Sequence, residues 1–176
     1  MLALPLVLGG CTSDDGKKPT VLPSLAPPAA SLSAVPVPSI PAEASAETSQ
    51  GAAAFVRHYM VVLGAAIQNA DPAPVQALSD AGCGGCQNLI RAIEVAKADR
   101  QRVEGAEFRV AFAVAPALTA SDVIVDIRYD RAPGEVLDAT GAVVRPIAPE
   151  PTVDAQVRMA RTGSSWRVLG FRVVQT

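Results

Sequence analysis

Between positions 52 and 70 the apolar residues return every three or four places: Phe55, Tyr59, Val62, Leu63, Ala66, Ile67 and Ala70 in "AAAFVRHYMVVLGAAIQNA". That spacing lays one apolar stripe along a helix and leaves the other side wet, so an amphipathic helix is expected there. Asp71 and Pro72 follow as an N-cap and a first helical residue, starting a short second helix with Val75 and Leu78 inward. A third helix is expected from about Gly85 to Arg100, where Leu89, Ile90, Ile93 and Ala96 share a face.

Beyond these helices the period changes from near 3.6 to 2. Phe108, Val110, Phe112 and Val114 alternate with charged or small residues, as do Val123, Val125, Ile127 and Tyr129, and each set reads as a strand with one wet face. "EVLDATGAVV" predicts a hairpin whose turn, Asp138 to Gly141, ends in the glycine that a left-handed position prefers. Val153, Ala155, Val157 and Met159 alternate next. In "SSWRVLGFRVVQT" Trp166 and Val168 hold one parity and Phe171 and Val173 the other, so a bulge at Gly170 is expected. Helices followed by a run of antiparallel strands predict an α+β fold, with the helices packed on one face of a single curved sheet. This order resembles the cone-shaped nuclear-transport-factor-like fold, also called SnoaL-like or cystatin-like.

The seven aromatic residues all lie at or after position 55, which places the start of the core near there. Residues 1–50 read differently. "LALPLVL", residues 2 to 8, is far short of the roughly 20 residues that span a bilayer and suits the apolar centre of a secretory signal peptide. The basic residues expected before such a run are missing, so the signal is expected to begin upstream of Met1. The run closes as "LGGC", Leu8 to Cys11, which resembles the lipobox of bacterial lipoproteins. That resemblance implies a thioether-linked diacylglycerol on Cys11, cleavage before it, and acylation of the new amino group by a fatty acid such as palmitate. At about 0.8 kcal/mol per buried methylene, two acyl chains anchor stably where one is marginal. A stray cysteine in a disordered leader is the bland alternative, against which apolar run, small residues and abrupt polar switch all coincide.

From Thr12 to Gln50 the chain holds seven prolines, many alanines and serines, and no aromatic residue. A disordered tether over 11–50 is therefore expected, reaching about 120 Å if extended and about 35 Å as a coil. A proline-rich docking motif at "PPAASLSAVPVP" is the rival role. The folded domain is expected over 51–176, where 13 basic and 13 acidic residues balance. With a net charge of -2 for the whole chain, no field implies a nucleic-acid partner.

The segment "GAAAFVRHYMVVLGAAIQNADPAPVQALSDAGCGGCQNLIRAIEVA" resembles the hallmark block of a family of actinobacterial lipoproteins known as domain of unknown function 6318. The likeness spans about Gly51 to Val174, through an "AFVR.Y" helix, an "LSD..C..CQ" turn and a closing "WRV" strand, and rests most on Leu78 to Gln87. It implies the lipobox, the spacer and the architecture, and brings no activity. His58 stands where the resemblance implies an aromatic residue.

Cys83 and Cys86 in "SDAGCGGCQN" would sit outside the cytoplasm, where a disulfide is the default. So small a loop contributes only about 2 kcal/mol on the chain-entropy model, and the two glycines between would relieve its strain. The sharper alternative is a thiol redox site, since a cysteine at a helix N-terminus has a lowered pKa, although that motif belongs after a strand. Zinc needs four ligands, and only Cys83, Cys86 and His58 remain once Cys11 is lipidated, so neither metal nor cofactor is expected. His58, the only histidine, could serve a dehydratase- or isomerase-type enzyme of this architecture as acid or base, or could merely edge the apolar stripe. Asp126, Arg128 and Asp130 read as a solvated strand face.

The leading expectation is a lipid-anchored protein on the extracytoplasmic face of the cell membrane, carrying a non-catalytic binding domain. Its candidate cavity-lining residues are His58, Tyr59, Phe108, Phe112, Tyr129 and Trp166. The expected partner is a small apolar ligand, a cell-envelope protein or a wall polymer, and a purely structural wall spacer is the remaining alternative.

Overall fold

A computed structural model describes residues 34–116, 118 and 122–174. Cys11 lies outside the described residues. Three helices come first: α1, Ser49–Asn69; α2, Ala73–Leu78; and α3, Gly84–Ala98. Seven strands follow: β1, Arg102–Gly105; β2, Phe108–Val114; β3, Asp122–Arg131; β4, Gly134–Leu137; β5, Val143–Ile147; β6, Glu150–Thr162; and β7, Ser165–Val174. The class is α+β, as the change of period predicts. The α1 stripe is buried at Phe55, Tyr59, Val62, Leu63 and Ala66, and Asp71 accepts a hydrogen bond from the Ala73 amide at the start of α2.

All strand pairings are antiparallel. They form a four-stranded sheet, β2-β3-β6-β7, and a three-stranded one, β1-β4-β5. The two are the halves of one bent ribbon. β1 runs into β2, β3 into β4 and β5 into β6, each across two residues, and β1 pairs β4 just as β2 pairs β3. The expected single curved sheet is thus a sheet whose ladder breaks along one crease. Gly105 and Ala106 have positive φ there (71° and 54°), and Pro133 has no amide to donate. Pairing survives the crease through the Ala106 amide on the Pro133 carbonyl (3.0 Å) and the Ala132 amide on the Glu107 carbonyl (2.9 Å).

Two strands depart from strict alternation. β7 carries the expected irregularity: Gly170 pairs with Arg158 and Val168 with Met159, leaving Leu169 as the extra residue. That insertion returns Phe171 to the inner face, opposite buried Val157. β2 carries a register shift between Val110 and Phe112 that the alternation does not predict. Beyond it Ala113 turns inward and Val114 is left 58% exposed, so Phe112 and Val114 leave the inner face assigned to them. In "FRVAFAV" the alanines at 111 and 113 are small enough for either face, and the Arg128 guanidinium on the next strand covers the outward Phe112 ring at 5.3 Å.

The body also begins earlier than the expected boundary at 51. Residues 34–48, assigned to the tether, lie as a strap against the domain. Asn69 accepts from the Val35 amide (2.8 Å) and donates to the Val35 carbonyl (2.7 Å), as a neighbouring strand would. A 3-10 turn, Ala42–Ser45, buries Ala44 completely. Trp166 donates its indole N–H to the Ala46 carbonyl (3.1 Å), and Arg161 donates to the Ser45 carbonyl (2.7 Å). Proline explains how a segment without large side chains docks: its backbone loses little freedom on ordering, so few hydrogen bonds suffice.

The turn between α2 and α3 is fastened to β7 at two points. Asp80 donates its amide to the Val168 carbonyl (2.8 Å), and Arg167 donates to the Ser79 carbonyl (3.0 Å). Five residues on, Gly85 lies so close to β7 that a Cβ there would stand 2.1 Å from the Phe171 carbonyl oxygen. The bulge at Leu169 sits between the Val168 fastening and the close approach at Phe171. Gly84, beside it, would have open space around a Cβ. Gly85→Ala should therefore lower stability by about 2–3 kcal/mol, because backbone must move to admit the methyl group. Gly84→Ala should stay within about 0.5 kcal/mol of the parent. Thermal or urea unfolding of the two variants checks this, and equal losses would contradict the close approach.

Candidate functional site

The six candidate cavity residues do not line a common cavity among the described residues. Tyr59 is fully buried, with its hydroxyl 3.3 Å from the Ser79 hydroxyl. Burial holds the Tyr59 pKa above its ordinary value. Trp166 is buried and directed at the strap, with the Arg161 guanidinium 5.3 Å over its ring. Phe108 is half-buried and meets Tyr129 edge to face, with ring centroids 5.6 Å apart. Phe112 lies on the opposite face of the sheet, under the Arg128 guanidinium at 5.3 Å. Tyr59, Tyr129 and Trp166 belong to one buried apolar cluster with Phe108 packed against it, and Phe112 lies outside that cluster. The clustered four fill the interior and do not form the expected cavity wall, which corrects that expectation. The interior they were meant to line is filled by Phe55, Tyr59, Met60 and Leu63.

His58 is 6% exposed beside Phe55, with ring centroids 6.5 Å apart. Among the described residues it has no hydrogen-bonded carboxylate. Cys83 and Cys86 are both fully buried, with Cα atoms 5.2 Å apart and sulfurs at bonding distance. Cys83 also caps α3, its sulfur accepting from the Cys86 amide (3.2 Å). Neither sulfur offers surface to an exchange partner.

The outer sheet face is wet, as expected of Asp126 and Arg128, and ordered by cross-strand pairs. Arg128 grips Asp154 with two hydrogen bonds, 2.7 and 2.9 Å, and that guanidinium holds the Asp154 carboxyl below its ordinary range. Gln156 donates to Asp126 (3.0 Å) and accepts from Arg172. The donors and acceptors of this face are largely spent on one another.

The crease in the sheet opens a different site. The end of α1, one side of α3 and the small sheet enclose a cleft of about 380 Å³. Ile67, Leu89, Ile93, Val103, Val136 and Ile147 give it apolar walls, and Arg102, Arg131 and Arg145 stand among them. No carboxylate side chain lines it among the described residues. Arg131 reaches Glu150 at 3.4 Å, yet its Nε is buried with no partner among the described residues. Arg102 lies 4.0 Å from Glu104, at the limit of an ion pair. Sequence reasoning missed this cleft because its arginines come from β1, the end of β3 and β5. They meet only once the ribbon folds at residues whose backbone conformation a period-2 pattern does not show.

Burial lowers the His58 pKa from the ordinary 6.5. Below pH 6.5 the unfolded chain then takes up a proton that the folded chain resists, so stability falls as pH drops through the window beneath that value. His58→Phe should flatten this part of the stability profile. The His58 ring resonances of the parent should titrate with a midpoint below 6.5. A midpoint above that value would mean that a carboxylate faces the ring after all.

The chain is similar to several solved structures. The intermembrane space region of the chloroplast protein ARC6 superposes with a TM-score of 0.56 at 9% identity, covering 73% of this chain and 97% of its own. Aln2 from a Streptomyces species gives 0.46 at 16% identity, covering 68% of this chain and 87% of its own. A candidate dehydratase from the NTF2-like family of Streptomyces avermitilis gives 0.46 at 14% identity, with 69% and 95% covered. At 9% identity the likeness to the ARC6 region concerns fold alone. No curated protein matches the chain. A family model matches residues 29–172, a span that includes the strap and reaches nearly to the end of β7, and by that match the chain belongs to the family of unknown function DUF6318.

Proposed function

We propose that the chain is a lipid-anchored, extracytoplasmic binding module without catalysis, and that the cleft at the crease is its ligand site. One observation carries the binding reading: an apolar recess of about 380 Å³ that holds three guanidiniums and, among the described residues, no carboxylate. Concave, mostly apolar walls with a few placed polar groups are the usual form of a small-molecule site. The described lining lacks a base with its orienting partner, which acid–base catalysis requires. His58 lies elsewhere, in the packed interior, and does not line the cleft.

The anchor reading rests on "LGGC" at Leu8 to Cys11, and the paired sulfurs of Cys83 and Cys86 agree with an oxidising compartment. In this reading that pair is a disulfide that clips the entry of α3. A redox role fits less well, because a working thiol must be reached by its substrate and both sulfurs are buried.

Cys11→Ser should abolish incorporation of labelled fatty acid and shift the protein from the membrane to the aqueous fraction. Unchanged membrane partitioning of that variant would contradict the anchor. Thiol labelling of the native, unreduced protein should leave Cys83 and Cys86 unmodified until the chain is unfolded and reduced. Ready labelling of either in the folded state would reopen the redox reading.

A further inference from the structure

Resting on the binding reading above, we infer the chemical class of ligand that the crease cleft takes: a small amphiphile with an aliphatic body and an anionic head. The walls specify the body. Their side chains are aliphatic, and no aromatic ring lines the cleft among the described residues. A nucleobase or flat aromatic ligand would find no ring to stack on, only the guanidiniums, whereas an acyl chain is matched by the whole aliphatic wall.

The polar groups specify the head. Arg102, Arg131 and Arg145 all line one recess, and such a concentration of like charge is tolerated because it stays wet or meets an anion. Their own partners satisfy only part of this charge. Glu104 stands 4.0 Å from Arg102, Glu150 stands 3.4 Å from Arg131, and Arg145 has no carboxylate within ion-pair distance among the described residues. The buried Nε of Arg131 is a donor whose hydrogen bond is unmade, which is costly until an acceptor arrives. A guanidinium presents its donors in a planar fork that suits a carboxylate or phosphate head. The three arginines stand on β1, β3 and β5, so they are brought together by the crease itself.

The test uses the full-length chain carrying Cys11→Ser, so that no attached acyl chain competes. Decanoate, decanol and decyltrimethylammonium share one tail and differ only in head charge. Titration followed by calorimetry and by amide chemical shifts should rank decanoate first, decanol second and the cation last. Arg145→Ala, at an exposed position, should weaken decanoate about tenfold, the worth of one charge-assisted contact, and leave decanol unchanged. Ala92→Trp, which fills the cleft from an exposed position on α3, should remove binding of both. If decanol binds as tightly as decanoate, or if Arg145→Ala weakens the two equally, the anionic class is wrong while the binding reading stands. If none of the three probes binds the parent, or if Ala92→Trp leaves their binding unaltered, the cleft is not the ligand site and both readings fall.

Discussion

The structure depends on how closely the turn between α2 and α3 lies against β7. Only a residue without a side chain fits at Gly85, because the Phe171 carbonyl occupies the place of its Cβ. Next to that contact the Asp80 amide borrows the Val168 carbonyl as a strand neighbour would. Leu169, between Val168 and Phe171, is the residue left over when β7 pairs with β6. The bulge is thus the place where β7 yields to the turn, and it lets Trp166, Val168 and Phe171 all reach the core. The cysteine pair at the start of α3 and the Gly85 contact with β7 together constrain the angle at which α3 enters. That angle sets the distance between α3 and the small sheet, and with it the width of the cleft.

The second determinant is the crease. Three strand connections break at the same level, and positive φ at Gly105 and Ala106 lets the ribbon fold there. Above the crease the sheet packs against α1 and is filled by aliphatic and aromatic side chains. Below it the small sheet stands away from α3 and leaves the apolar recess with its three arginines. One sheet therefore supplies both a closed core and an open site, and the change between them is made by backbone conformation at a few residues.

Much of the fold was legible from spacing. The α1 stripe, the inward set Val153, Ala155, Val157 and Met159, the turn ending at Gly141 and the bulge beside Gly170 all follow from helical and strand periods. The parity break in β2 was hidden because Ala111 and Ala113 fit either face, and Arg128, which covers the outward Phe112 ring, comes from the next strand. The strap was hidden for another reason: composition reports missing side chains, whereas the strap is held by its own backbone through Asn69, Arg161 and Trp166, partners up to 120 residues away. The site was the least legible part. His58 and the aromatic residues are rare types and so stand out in the sequence, yet all but Phe112 pack the interior, while the cleft is built from arginines and aliphatic residues that are ordinary one by one.

The most direct test of the clamp between turn and β7 is the hydrogen-exchange rate of the Asp80 amide in the native protein. Its carbonyl partner lies on a core strand, so it should exchange as slowly as the β6 and β7 amides, through global unfolding only. Exchange at the rate of an exposed loop would show that the turn is not fastened, and the fixed angle of α3 and the cleft it shapes would lose their basis.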